Sequence, residues 1–461
     1  MVLRKVFQRF IEKSPLSVMM RGLLERLLNP ERLDEWFARV AEHQYTRELL
    51  FSSVFDLMSQ VVCGTQRSVH AAYQASEEEI GVSITSVYNK LNGLEATTSA
   101  ELVRYAAGEA VPLIELLGGA RAPQLAGLRI KLLDGNCIAA SEHRIGELRS
   151  LAAGALPGKS LVVLDPALRI PMDVFPCEDG HAQERSLLGQ VLPTVAAAEV
   201  WVADRNFCTR DFLCGIAARG AFFIIRQHRN LPFEPLTPMR RSGGRVAKGQ
   251  VFEQFIRVTD GSGKEWHFRR IRVLLNQGTR DGDKGIDVLT HLPREVASAK
   301  KIAELYRGRW TIETAFQELT EHLHSEINAL GYPPAALFGF CVALVAYTVL
   351  AVVKAALVSV HGIETIEKKV SGYYIADEIS GTYRGMMIAI PQGEWIVFRQ
   401  LTQSQMVELL IFLAGKVKIS AIRKHPRGPK KPLPKRHSDP NTPHVSIARL
   451  LAGQKIGRAS P

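Results

Sequence analysis

From Leu128 onward the chain changes its rhythm: IKLLDGNCIAA, SLVVLDPAL and RIPMDVFP are short apolar runs that follow one another with no helical stretch between them. Runs of this length, bounded by Gly, Pro and Asp, read as buried strands. By the same spacing argument AQERSLLGQVLPTVAA is a helix, VWVAD a strand, CTRDFLCGIAARG a helix and AFFIIRQ a strand. Three consecutive strands followed by alternating helix and strand predict a mixed sheet layered with helices, an α/β architecture. With 461 residues, 46% of them hydrophobic, the chain can bury a large core and divide into roughly two to four domains.

The flanks have a different character. Residues 1–118 are expected to form a helical region, because FQRFIEKSPLSVMMRGLLERLL, RELLFSSVFDLMSQVV and SAELVRYAAGEAVPLIELL repeat their apolar positions at three and four. Within it, SEEEIGVSITSVYNKLNGLE has the outline of a helix, a turn at Gly81 capped by Ser83, and a second helix, which suits either plain packing or entry into a DNA groove. The layered sheet should occupy 119–230 and resume over 295–372, interrupted by a β-rich insertion over 231–294 with a turn at Asp260 and Gly261. A C-terminal region over 373–415 and a basic tail over 416–461 complete the division.

Two local patterns are misleading. AGALPGKS resembles a phosphate-binding loop, but three residues rather than four separate Gly154 from Gly158, and a strand follows where that motif needs a helix. Ala335 to Val353 runs for nineteen residues without a charge, long enough to cross a bilayer. Its Gly, Cys, Tyr and Thr content suits a buried core helix, and the expectation is no membrane association.

Charge is unevenly placed. Of the net +12, the segment from Lys416 to Pro461 carries +11, from twelve Lys or Arg against Asp439 alone, which leaves +1 for all the rest. The proline-rich stretch RKHPRGPKKPLPKRHSDPNTPH cannot continue as a helix and suits contact with a polyanion through counterion release, with Lys430, Lys431, Lys435 and Arg436 as candidate DNA contacts. The six cysteines show no short paired spacing of a zinc site and no cleavable signal peptide precedes them, so reduced thiols in a cytoplasmic protein are expected.

The chemistry is concentrated in YRGRWTIETAFQEL. On one helix, Tyr306, Arg309 and Glu313 share a face, because offsets of three and seven return to the same side. Ile312, Phe316, Leu319 and Leu323 supply the adjacent apolar stripe. Asp134 and Asp204 end or interrupt apolar strands 70 residues apart and can converge with Glu313 in one sheet-and-helix layer. Such carboxylates are hard ligands for Mg2+ or Mn2+, and a pair of ions about 4 Å apart stabilises both oxygens of an in-line phosphoryl displacement.

The pieces DGN at Asp134, ADRNF at Asp204 and YRGRWTIETAFQEL resemble, in order and spacing over roughly Leu128 to Leu330, the DDE transposases of bacterial insertion sequences whose third region carries a Tyr-Arg-Glu-Lys signature. That resemblance implies a ribonuclease H-like core with a β-rich insertion. It also implies metal binding by Asp134, Asp204 and Glu313, and phosphate contacts from Tyr306 and Arg309. The implied activity is metal-dependent cleavage at element ends and strand transfer into target DNA. The implied partners are terminal inverted repeats, target DNA and a second copy of the chain in a synaptic complex, in a bacterial cytoplasm at the nucleoid. The alternatives are a nuclease of the same fold that joins nothing, and a decayed copy that only binds DNA. The signature lysine is replaced by Thr320, a hydroxyl without the charge or reach of an ammonium. Glu318 and Glu321 compete with Glu313 as third ligand, and the tyrosine and arginine spacing selects Glu313. Arg205 and Asn206 are candidates for orienting Asp204 or touching DNA. His181, Glu184, His322, His324 and Trp266 are read as capping, surface or packing residues.

Overall fold

The computed structural model describes residues 3–44, 48–246, 249–278, 282–425 and 444–458. The candidate DNA contacts Lys430, Lys431, Lys435 and Arg436 lie outside the described residues.

The apolar runs become the strands β1 (Arg129–Cys137), β3 (Lys159–Asp165), β4 (Ile170–Cys177), β5 (Glu199–Ala203) and β6 (Phe222–Arg226), and a short β2 (Gly154–Leu156), not expected from the sequence, lies between the first two. All except β2 join one sheet, in the spatial order β4, β3, β1, β5, β6. β3 is antiparallel to both β1 and β4, whereas β5 lies parallel to β1 and β6 parallel to β5. β3 and β5 are buried along their whole length, as expected of strands covered on both faces. The sheet does not stop at β6. The insertion contributes β7 (Glu234–Pro235), β8 (Arg240–Val246), β9 (Gly249–Thr259), β10 (Glu265–Leu275) and β11 (Gly285–Thr290), and β11 pairs antiparallel with β6. Core and insertion therefore form a single ten-stranded sheet.

The β9–β10 hairpin turns at Asp260, whose carboxylate accepts the Ser262 and Lys264 amides (2.9 and 3.0 Å) and the Trp266 indole N–H (2.9 Å). Trp266 is thereby tied to the turn. Midway along the hairpin the buried Arg269 pairs with Glu253 (2.7 Å) and donates to the Leu292 and Ala297 carbonyls (2.6 and 2.9 Å). These bonds hold the insertion to the chain that returns towards Tyr306.

Helices cover the sheet. The Pro333–His361 helix packs on β4, on the Ala96–Leu116 and Phe51–Val62 helices, and on the Gln403–Lys416 helix. Of the apolar window that gave it membrane-spanning length, 94% is buried inside the protein. Being apolar on every side, it is enclosed on every side. In the N-terminal region Gly81 adopts φ +67°, and the Ser83 hydroxyl caps the Ile84–Asn92 helix by accepting from the Ser86 amide (3.2 Å).

Three expectations are altered. The stretch Ala182–Ala197 is not one helix but a 3-10 turn at Glu184–Leu187, a short helix at Leu188–Val191 and another 3-10 turn at Leu192–Thr194, because Pro193 has no N–H to continue the ladder. YRGRWTIETAFQEL is two helices, Ala299–Arg307 and Trp310–His322. Between them the bonds shift to i→i+3, from Arg309 N to Tyr306 O (3.1 Å) and from Thr311 N to Gly308 O (3.0 Å). Finally, the C-terminal segment is not uniformly a tail. β12 (His444–Ser446) pairs parallel with β2, and the helix after it places the buried Ile447 against Ile145, Leu148 and Ala155. Val445, Leu450 and Leu451 add the apolar surface that makes this return favourable.

Candidate active site

β1 and β5 run parallel, and the last pair in register is Leu133 with Ala203. The next residue along each is an aspartate, so register alone brings Asp134, within β1, beside Asp204, the first residue past the carboxyl end of β5. Open α/β sheets form their ligand crevices at this edge. Asp204 also caps the turn that follows, accepting the Asn206 amide at 2.7 Å.

The Trp310–His322 helix crosses this edge with Ile312 and Leu319 buried beneath it and Glu313 on the side facing the aspartates. The tight turn at Gly308–Arg309 aims the Arg309 side chain inward. Its Nη1 donates to Asp134 Oδ2 (2.6 Å) and its Nη2 to Glu313 Oε1 (2.5 Å). One guanidinium thus joins two of the three carboxylates, in the fork geometry that suits arginine. Tyr306 is largely buried beside it, with a hydroxyl made harder to ionise first by burial and then by Asp204, against the opposing pull of Arg309 and Arg226.

Burial pushes the Asp134 carboxyl up to about 7; Arg309 and the Gly135 amide pull it back, while Asp204 and Glu313 add to the rise. Three carboxylates and one guanidinium leave two negative charges uncompensated when all are ionised, and a hard divalent cation would neutralise them. Donor chemistry therefore fits Mg2+ or Mn2+. Among the described residues no three acidic, histidine or cysteine side chains are already drawn around one point, because Arg309 stands between Asp134 and Glu313.

The rival acids are occupied elsewhere. Glu318 pairs with Lys354 (3.1 Å), and Glu321 accepts from Gln317 (2.5 Å). The His322 ring lies against Tyr373 rather than beside His324. Thr320 is exposed and its hydroxyl donates to its own helix at Phe316 O (3.2 Å).

Other residues lie at this edge, of which Glu184 and Arg205 were named from the sequence while Trp310 and the remaining cleft arginines were not. Glu184 accepts from the Asn206 side chain (3.2 Å) and packs so closely on Gly135 that a Cβ there would meet its carboxylate at 2.2 Å. Trp310, next to Arg309, is 63% exposed. Beside Asp204 opens a cleft of about 820 Å3 lined by Arg205, Arg226, His228, Arg229 and Arg270, with Asp283 and Asp287. Arg226 and Arg270 are held by Asp283 (2.5 Å) and Asp287 (3.1 Å), whereas Arg205 and Arg229 are exposed. Arg205, the Arg226 and Arg229 pair, and Arg270 come from three separate segments and meet because β11 places β10 beside β6.

Two aspartates on neighbouring strands, with a glutamate on the helix above them, offer hard oxygen donors of the kind that hold divalent cations. Residues 159–347 match the family described as Transposase DDE domain, so this stretch of the chain is similar to DDE transposases. Asp204 and Glu313 fall within the matched stretch. Asp134 precedes it and is tied to the site by strand register and by Arg309. Over 198 residues the chain is 26% identical to a Sinorhizobium fredii protein described as "Putative transposase y4zB", a match covering 42% of this chain and 52% of that one. The chain therefore spans about half the length of that curated relative. Among solved structures, the cryo-EM piggyBac transposase synaptic complex with hairpin DNA aligns with a TM-score of 0.40 at 9% identity, over 83% of this chain and 84% of that chain.

Proposed function

We propose that this protein is an insertion-sequence transposase of the Tyr-Arg-Glu-Lys type, cutting DNA at the ends of its element and joining the freed ends to target DNA. The observation that carries the reading is that the Arg309 guanidinium joins Asp134 to Glu313 while strand register sets Asp204 beside Asp134. The strand order β4, β3, β1, β5, β6, with β3 antiparallel to its neighbours, supports a ribonuclease H-like core. Two divalent ions held by the three carboxylates would supply charge stabilisation for an in-line phosphoryl displacement.

The chain's own residues have separate tasks in this reading. Asp134, Asp204 and Glu313 present oxygen ligands from rigid elements, and Arg309 keeps the carboxylates together until it turns to DNA phosphate. Tyr306 braces Arg309. The exposed Trp310 offers a face on which a base can stack, and Arg205 with the neighbouring arginine cleft offers a path for a strand. Thr320 contributes at most a hydroxyl to DNA. Element ends and target DNA are the proposed partners, with a second copy of the chain to hold paired ends, in a bacterial cytoplasm. The helical region 1–118 is a further proposed DNA-binding surface. In it the exposed Thr85, Ser86 and Asn89 face out from the Ile84–Asn92 helix, while Glu77, Glu78 and Glu79 keep phosphate from the preceding one.

The test uses the inverted repeats flanking the coding region as labelled duplexes with Mg2+ or Mn2+. Cleavage followed by joined product is expected, with D134A and E313A losing both while still binding ends. Cleavage with no joined product would replace the transposase reading with a nuclease. End binding with no cleavage by the parent protein would replace it with a decayed DNA-binding copy.

A further inference from the structure

Away from Glu313, the other side of the Trp310–His322 helix walls a second cavity of about 200 Å3 with an unusual charge arrangement. Arg121 and Arg169 come from different segments and converge on the same carboxylate oxygen, Glu367 Oε1, at 2.6 and 2.5 Å. Lys424 donates to the Glu367 main-chain carbonyl (2.7 Å), and Lys354 holds Glu318 (3.1 Å). Four cations thus face two carboxylates, leaving two positive charges in the cavity wall. Ordinary packing does not require this excess.

Arg169 itself is out of place. Its backbone lies in the left-handed region at φ +60°, in the turn between β3 and β4, where glycine is the favoured residue. Its Nε is buried with no hydrogen-bond partner among the described residues. Burial, and then Arg121, lower the affinity of Arg169 for its proton, while Glu367 opposes them. Two guanidiniums, one of them from a strained turn, are therefore held together with one carboxylate between them and one buried N–H unsatisfied. A buried unsatisfied donor on a charged group is costly unless a ligand completes it.

We propose that this cavity is a phosphate-binding site, with Arg121 and Arg169 as its anion clamp and Lys354 and Lys424 at its rim. Phosphate offers several acceptor oxygens to donors that already converge, and its charge matches the surplus. Two sources present the same chemistry, a free phosphate and a backbone phosphate of DNA passing behind the helix. Only the second rests on the transposase reading.

Thermal unfolding of the full chain, titrated with inorganic phosphate against chloride at equal ionic strength, tests the site without any cleavage assay. A saturable rise in Tm is expected for the wild type and is lost in Arg169→Gly, whose glycine suits the same backbone angle and so keeps the fold. Arg121→Gln serves as a second variant with unaltered backbone. For a DNA phosphate, inorganic phosphate competes with duplex, and each variant binds duplex about threefold to tenfold more weakly, with a salt slope smaller by about one. For a free phosphate, duplex binding is unchanged while the phosphate-dependent rise in Tm is still lost in the variants. If neither phosphate nor duplex distinguishes the wild type from both variants, the proposal is wrong and the paired arginines are structural.

Discussion

Asp134 is the residue on which the site's electrostatics turn. Its carboxyl is raised from the ordinary value to about 7, chiefly by burial. Because the folded protein holds this proton more tightly than the unfolded chain, the associated stability is present below about pH 4 and is lost as pH rises towards 7. Asp134→Asn should flatten that part of the decline in denaturant unfolding measured from pH 4 to pH 8. Arg309 offsets the same repulsion from the other side. In Arg309→Met the carboxylates lose their shared cation, so stability at pH 8 should fall, and added Mn2+ should raise Tm by more than it does in the wild type. An equal Mn2+ response in both proteins would mean that guanidinium and ion do not compete. The proximity of Tyr306, Arg309 and Glu313 was legible from their spacing, although the structure divides them between two helices at Gly308; spacing by itself assigned them no role. The inward aim of Arg309 was not, because the sequence spacing does not reveal the i→i+3 turn that produces it.

At the scale of elements, the insertion is fastened to the core sheet rather than hung from it. β11 pairs with β6, and Arg269 ties the β9–β10 hairpin to the strand and turn that lead back to the site. Arg269 is only 4% exposed, so Arg269→Met removes the buried partner of Glu253 and leaves two carbonyls unsatisfied. It should cost about 2–4 kcal/mol in chemical denaturation, even though Arg294 still reaches Glu253 (2.6 Å). A loss under about 0.5 kcal/mol, typical of a surface substitution, would show that the anchor is dispensable. β1, β3, β4, β5 and β6 were readable because apolar runs of that length have few other uses, whereas the three-residue β2 was not read as a strand. The interruption of the 182–197 helix and the return of β12 to β2 were harder to read, since both depend on a competing partner rather than on local preference.

Across the whole molecule, the Pro333–His361 helix joins the sheet to the helical regions at both ends of the chain, and remote segments meet around it. Glu378 marks one such meeting. Its carboxylate accepts the Leu16 amide (3.2 Å), and burial pushes it up to about 7 despite that bond. Its contribution to stability is therefore full below about pH 4.5 and declines as pH rises through 7. Glu378→Gln keeps an acceptor without the charge, so it should match the wild type at pH 4 and unfold at higher denaturant at pH 8. A variant weaker at both pH values would assign the carboxylate a structural role beyond its charge. The sequence by itself determined most of the strands, the helical flanks, the apolar core helix and the carboxylate, guanidinium and hydroxyl side chains gathered near the site, because periodicity and side-chain type are local properties. Only the tertiary structure decided that Asp134 and Asp204 are neighbours, that Arg309 sits between two carboxylates, and that arginines from separate strands line one cleft. Register between parallel strands, and the packing of a helix across their ends, are set by contacts between residues far apart in the chain, and no local pattern encodes them.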